Sequence, residues 1–263
     1  MKFIESGTAF GMDYAAFGMG DRALIVLPGL SDGLATVRGK ALALVAPYIP
    51  HLKDHRVYMF SRRIDLKIGD SIDVMARDQL RALDELQVEK FSVLGVSEGG
   101  MIAASIALLA PERVERLVLA VSAAGVNDTL RENISRWLEL ADRGDHGAIM
   151  RDTAEKSYSE GYLRAMRKMY PVLGLIGKPK SYDRFRANCE AIIAFDKRGE
   201  IGKISSPTLI IGGGRDKIVG ADASPELHSL IPGSEMYLYP DLGHGLYEES
   251  GDFYKKVFEF IDS

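Results

Sequence analysis

Ser97 lies in the run Gly95-Val96-Ser97-Glu98-Gly99-Gly100, between an apolar strand-like segment, 91–96, and a helix-like one, 98–110. A serine on a sharp strand-to-helix turn is held in a strained backbone conformation that exposes its hydroxyl. Glycines two residues before and two after it remove Cβ atoms where strand and helix backbones come close. The helix start also aims free N–H groups at that point, where they can hold an oxyanion. Gly-x-Ser-x-Gly is a weak pattern by itself, and its place between strand and helix gives it weight.

A serine hydroxyl is a poor nucleophile until a base takes its proton. Of the five histidines, His51 and His55 precede a strand and so belong to the wrong end of a sheet. His228 falls in a short helix, and His146 among charged neighbours. His244 sits in the glycine-flanked loop Asp241-Leu242-Gly243-His244-Gly245 after the last strand, able to reach over the strand C-termini, where open α/β sheets place their sites. Asp216 follows the strand 208–211 through Gly212-Gly213-Gly214-Arg215. It can accept a hydrogen bond from the imidazole, fix its tautomer and stabilise the imidazolium. Asp196, Asp222 and Asp241 are rivals for that role. Two backbone donors suit a tetrahedral oxyanion: the Leu30 N–H, in the turn Pro28-Gly29-Leu30-Ser31, and the Glu98 N–H. The Glu98 carboxylate is unhelpful there unless it points at solvent.

Positioning these groups needs a scaffold. From residue 23 to 121 the pattern alternates: strand 23–27, helix 36–47, strand 56–60, helix 71–86, strand 91–96, helix 98–110, strand 114–121. Short strands at 2–5 and 13–17 precede it. Near-continuous apolar strands alternating with helices predict an α/β fold, a mostly parallel central sheet with helices on both faces. Between about 125 and 200 the rhythm becomes helical (134–141, 152–169, 184–195). Strand character returns at 208–211 and 235–239, around a short helix at 223–231, with a final helix at 246–261. This predicts a core of residues 1–124 and 201–263 with an inserted helical cap, 125–200. Tyr158, Tyr162, Met166 and Tyr170 recur every four residues along the expected helix. They form either cap core or the wall of a substrate pocket. Arg62 and Arg63, after a strand at the active-site edge, are expected to be solvated; holding an anionic substrate group is the sharper alternative.

Composition narrows the classes. The chain has 263 residues, 46% hydrophobic and 27% charged, which suits one large domain. A net charge of −4 and a pI near 5.8 imply no general attraction to nucleic acid. The single cysteine, Cys189, excludes an intrachain disulfide and leaves no cysteine cluster for a metal. The first residues lack a secretory layout and no apolar run spans a membrane, so a cytoplasmic protein without membrane insertion is expected.

The motifs LPGLSDG, FSRR, VLGVSEGGMIA, PERVERLVL, PTLIIGGGRD and DLGHGLYEE stand in the order in which capped α/β-hydrolases carry them, and the chain resembles that superfamily over essentially its whole length. The resemblance implies the chain order Ser, Asp, His and metal-free, cofactor-free hydrolysis of a small-molecule ester through an acyl-enzyme. Pro28-Gly29 stands where relatives usually carry His-Gly. Serine at the elbow separates the chain from the haloalkane dehalogenase and epoxide hydrolase branches, which use Asp there. Cleavage of a C–C or other acyl bond by the same triad, and a ligand-binding module with little turnover, remain alternatives. The sequence leaves open whether the chain forms a homo-oligomer.

Overall fold

The structure, a computed structural model, describes residues 3–175 and 177–263. The elements run β1 (Ile4–Ala9), β2 (Met12–Phe17), β3 (Arg22–Leu27), α1 (Ala41–Leu44), β4 (His55–Arg63), α2 (Ile72–Glu85), β5 (Phe91–Val96), α3 (Glu98–Leu109) and β6 (Val114–Ala120). Then come α4 (Asp128–Asp142), α5 (His146–Ser157), α6 (Glu160–Met166), α7 (Tyr170–Leu173) and α8 (Asp183–Ile193). The chain closes with β7 (Thr208–Gly213), α9 (Ala223–Leu230), β8 (Glu235–Tyr239), α10 (Leu246–Glu249) and α11 (Phe253–Ile261). The strands form one eight-stranded sheet in the order β1-β2-β4-β3-β5-β6-β7-β8. Pairing is antiparallel across β1, β2 and β4 and parallel from there on. The expected α/β fold is therefore present.

Alternation along the strands sorts the core into two layers. Ile25, Leu27, Phe91, Val93, Leu117 and Ile210 face one side, with α2, α3 and α9. Leu24, Val26, Leu94, Val96, Val118 and Ile211 face the other, with α11. In α11, Phe253, Val257, Phe258, Phe260 and Ile261 are buried; each such side chain contributes roughly 1.5–3 kcal/mol on transfer from water. The helix α3 is buried nearly all round, which explains why its sequence is apolar rather than amphipathic.

Three expectations shift. The segment expected as one helix over 36–47 is instead the short α1 followed by a 3₁₀ run, Ala46–His51, with Pro47 and Pro50 inside it. The first strand was expected over 2–5; Lys2 lies outside the described residues, and β1 continues to Ala9. The expected helix 152–169 is broken: Tyr158 is extended (φ −109°, ψ 157°) and Ser159 caps a new helix, its Oγ accepting from the Tyr162 N–H. The stripe at 158, 162, 166 and 170 therefore does not lie on one helix face. Among the described residues no helix is long and apolar enough to cross a membrane.

Candidate active site

The strand order reverses beside β3: the chain leaves β3 for β4 on one side and reaches β5 on the other. Loops at the C-terminal ends of such neighbouring strands diverge and open a crevice. The turn after β3 brings Gly29 against the start of α3, where a Cβ on Gly29 would lie 3.2 Å from Ser97 Cβ. Ser97 itself has φ +57° and ψ −122°, a positive φ that a non-glycine residue adopts only at a cost. The flanking glycines are required sterically. A Cβ on Gly95 would sit 2.5 Å from Gly100 Cα, and one on Gly99 would overlap the Leu27 carbonyl. Ser122 Oγ donates to the Ser97 carbonyl at 2.8 Å, tying the elbow to the end of β6.

Asp216 follows β7, and its carboxylate is divided between two tasks. Oδ1 accepts the N–H groups of Ile218 at 2.8 Å and Val219 at 3.0 Å. Oδ2 lies 2.8 Å from His244 Nδ1. Both side chains are nearly buried, so this contact is shielded from water. The rivals are elsewhere: Asp196 pairs with Arg198, Asp241 pairs with Arg215, and Asp222 is exposed at the start of α9. The His244 loop is fastened to the end of α5. The Gly245 N–H donates to the Ser157 carbonyl at 2.8 Å, and Tyr158 Oη donates to Glu248 at 2.6 Å.

Ser97 and His244 line one cavity of about 280 Å³, together with Gly29, Leu30 and Ser31 from the turn after β3. Among the described residues no hydrogen bond joins Ser97 to His244. The N–H groups of Leu30 and Glu98 meet no acceptor among the described residues. Trp137, Ile149, Met150, Met166 and Phe185, from the helices between β6 and β7, add a further apolar wall. Of the four residues expected to share a stripe, Tyr158 and Met166 line the cavity. Tyr162 stacks on Tyr158 at 4.7 Å from its half-exposed position, and Tyr170 turns away to donate to Glu155 at 2.7 Å. The lining contains one carboxylate, Glu248, and no lysine or arginine among the described residues. Burial raises the Glu248 carboxyl above its usual range.

Two charged residues behave otherwise than expected. Arg62 is not solvated: it is 1% exposed, at the end of β4, and donates to Glu98 Oε2 at 2.9 Å. Glu98 points inward as well, and burial, partly offset by Arg62, pushes its carboxyl up to about 7. Arg63 remains partly exposed and pairs with Asp65. A strand covered by helices on both faces has no solvent side, so an arginine near its end turns inward when a carboxylate awaits it. Ser122 and Met150 had no local signature, because each reaches the site across a long sequence separation.

Comparison with known proteins gives the family. The chain belongs to the alpha/beta hydrolase fold family, whose model matches residues 22–251. Among curated proteins it is 29% identical over 184 residues to a pimeloyl-[acyl-carrier protein] methyl ester esterase from Nitrosomonas europaea, covering 64% of this chain and 71% of that protein. It is also 29% identical over 207 residues to a 2-hydroxy-6-oxononadienedioate/2-hydroxy-6-oxononatrienedioate hydrolase from Klebsiella pneumoniae, covering 73% and 69%. Among solved structures, an alpha/beta hydrolase enzyme from a Medee basin deep-sea metagenome library superposes with a TM-score of 0.84 at 20% identity, covering 96% and 94%. That last likeness is one of fold.

Proposed function

We propose that this hydrolase cleaves a carboxylic ester of a small, uncharged and largely apolar molecule through an acyl-enzyme. Ser97 attacks the carbonyl carbon while His244 takes the hydroxyl proton and later returns it to the leaving alcohol. Asp216 holds the imidazole tautomer, and the Leu30 and Glu98 N–H groups receive the oxyanion. The observation that carries the reading is the 2.8 Å His244–Asp216 contact beside a positive-φ serine in one shared cavity. The helices between β6 and β7 act as a cap that excludes water and selects the acyl or alcohol part.

A second reading, cleavage of a C–C bond, draws on the Klebsiella relative, whose named substrate is a dioate. Among the described residues the lining of this cavity offers no lysine or arginine for a carboxylate. That favours the uncharged ester. The test combines pre-steady-state kinetics on p-nitrophenyl butyrate with labelling by an alkyl fluorophosphonate. An initial burst of p-nitrophenol and stoichiometric labelling of Ser97 are expected. Slow binding without a burst or label would identify a ligand-binding module instead, and preferential turnover of a dioate would overturn the substrate class.

A further inference from the structure

The two proposed oxyanion donors stand on separate pieces of chain, one in the 3₁₀ turn Leu30–Gly33 and one at the first residue of α3. Each piece carries a buried carboxylate. Asp32 lies two residues beyond Leu30, and Glu98 is itself the second donor. Arg62 joins the pieces: its N–H donates to Asp32 Oδ2 at 2.9 Å and its Nη2 to Glu98 Oε2 at 2.9 Å. Arg184, from α8, closes the group from above. Its Nη2 donates to Asp32 Oδ2 at 2.7 Å, its Nη1 to the Asp32 carbonyl at 2.8 Å, and its Nε to the Arg63 carbonyl at 3.1 Å.

The Arg184 side chain is 14% exposed, and every one of its bonds runs to the turn after β3 or to the end of β4. The backbones meet here too, since a Cβ on Gly33 would lie 3.0 Å from Phe185 Cα. When Glu98 is ionised, two carboxylates and two guanidiniums balance in charge, which suits so buried a cluster. A forked guanidinium gripping both the carbonyl and the carboxylate of one residue fixes that residue's orientation, which a point charge does less well.

We infer that Arg184 is a positioning residue: gripping Asp32, it sets the turn that aims the Leu30 N–H, so the oxyanion donors are aligned only while α8 is docked. This rests on the serine-hydrolase reading above.

The test compares Arg184→Met, Arg184→Lys and wild type in three measurements on the purified full chain. These are kcat and KM with p-nitrophenyl butyrate, affinity for an alkyl trifluoromethyl ketone, and affinity for the corresponding alcohol. The ketone gains a bond from Ser97 Oγ as the serine proton passes to His244, leaving an oxyanion on the former carbonyl oxygen; the alcohol cannot form one. Losing an oxyanion donor outright costs about 10²–10³-fold in kcat, so a misaimed one should cost roughly 10–100-fold. The expectation for Arg184→Met is that loss in kcat, a matching loss in ketone affinity, and KM and alcohol affinity within about 3-fold. Arg184→Lys should recover part of both.

Ketone and alcohol affinities falling together, or KM rising at constant kcat, would overturn the proposal and leave Arg184 as an anchor of the cap alone. If Arg184→Met does not fold, Arg184→Lys decides by the same ketone-to-alcohol ratio. Ser97→Ala is the separate control: turnover persisting there defeats the serine reading itself, whatever Arg184 does.

Discussion

The loops at the C-terminal ends of β3, β5 and β7 and the helices between β6 and β7 build opposite walls of one cavity under different constraints. In the loops, backbone geometry dictates residue type. Gly95 and Gly99 face backbone atoms that no side chain could clear, and Ser97 is held at positive φ. In the helices, Trp137, Ile149, Met150, Met166 and Phe185 are ordinary apolar residues that reach the cavity only through tertiary packing. On the proposed reading, chemistry is tied to a rigid sheet edge, while selectivity is left to a wall where many apolar residues of suitable volume would serve.

The largest effects should fall on the loop side. Ser97→Ala should fold normally yet lose activity on the order of 10⁵-fold, leaving only binding and the oxyanion donors. Steady-state kinetics and thermal unfolding measure this together; undiminished turnover with an unchanged transition removes the contrast between the two walls. Asp216→Asn should lower kcat by about 10³–10⁴-fold, because an amide favours the wrong imidazole tautomer. Asp241→Asn and Asp196→Asn should stay near wild type. If either is inactive while Asp216→Asn works, the acid lies elsewhere.

On the helical wall, smaller and uneven effects are expected. Met166→Ala and Met150→Ala should shift kcat/KM by about 10-fold between short and medium acyl chains, since one methylene in an apolar pocket is worth about 1–3 kcal/mol. Tyr170→Ala, whose hydroxyl binds Glu155 away from the cavity, should scale all substrates alike. A p-nitrophenyl ester series from acetate to decanoate tests both. A uniform response to Met166→Ala would make it packing rather than pocket.

The same contrast governs what could be read from sequence. The strand 91–96 matched β5 residue for residue, and 235–239 matched β8, because turns bound both runs. Helix 71–86 lay within a residue of α2, whose cap is Ser71. Ser97, Asp216 and His244 stand out in the sequence because their signals are local, namely glycines, strand ends and chain order; the structure sets Asp216 against His244 and puts Ser97 in the cavity that His244 lines. In the helical segment, four-residue spacing suggested one face where the chain breaks at Tyr158. The sign available was Ser159, a good cap followed by Glu160. Neither Arg62 nor Glu98 carries a local sign of the other. Their pairing joins residues 36 apart in sequence, and no pattern along one strand or helix reports such a contact.

The smallest expected effect separates the two regions by pH. At the far end of the sheet, His51 stacks on Phe258 at 3.6 Å and His55 is buried beside Asp262, His51, Arg22 and Asp54. Burial holds both imidazoles below their usual value of 6.5. The unfolded chain therefore takes up protons first, and the stability tied to these residues is full above pH 6.5 and falls as pH drops below it. Glu98, facing Arg62, Asp32, Arg184 and Cys189, works in reverse. Its carboxyl is raised from 4.5 to about 7, so its contribution is greatest below pH 4.5 and is lost as pH rises through 7. In the helices, Glu155 is lowered to about 2, first by Arg167 and then by Tyr170. Its contribution is present above pH 4.5 and disappears toward pH 2. That pair is exposed, so salt should screen it, whereas the buried groups of the sheet are shielded from salt. Between pH 4.5 and 7 the two histidines and Glu98 therefore pull the urea midpoint, measured from pH 2 to 9, in opposite directions. Across that window His55→Gln should make the midpoint fall more as pH rises, and Glu98→Gln should make it rise more. Adding 1 M NaCl should shrink only the loss below pH 4.5. A salt-sensitive slope between pH 5 and 7 would place the governing charges on the surface helices and reverse the assignment.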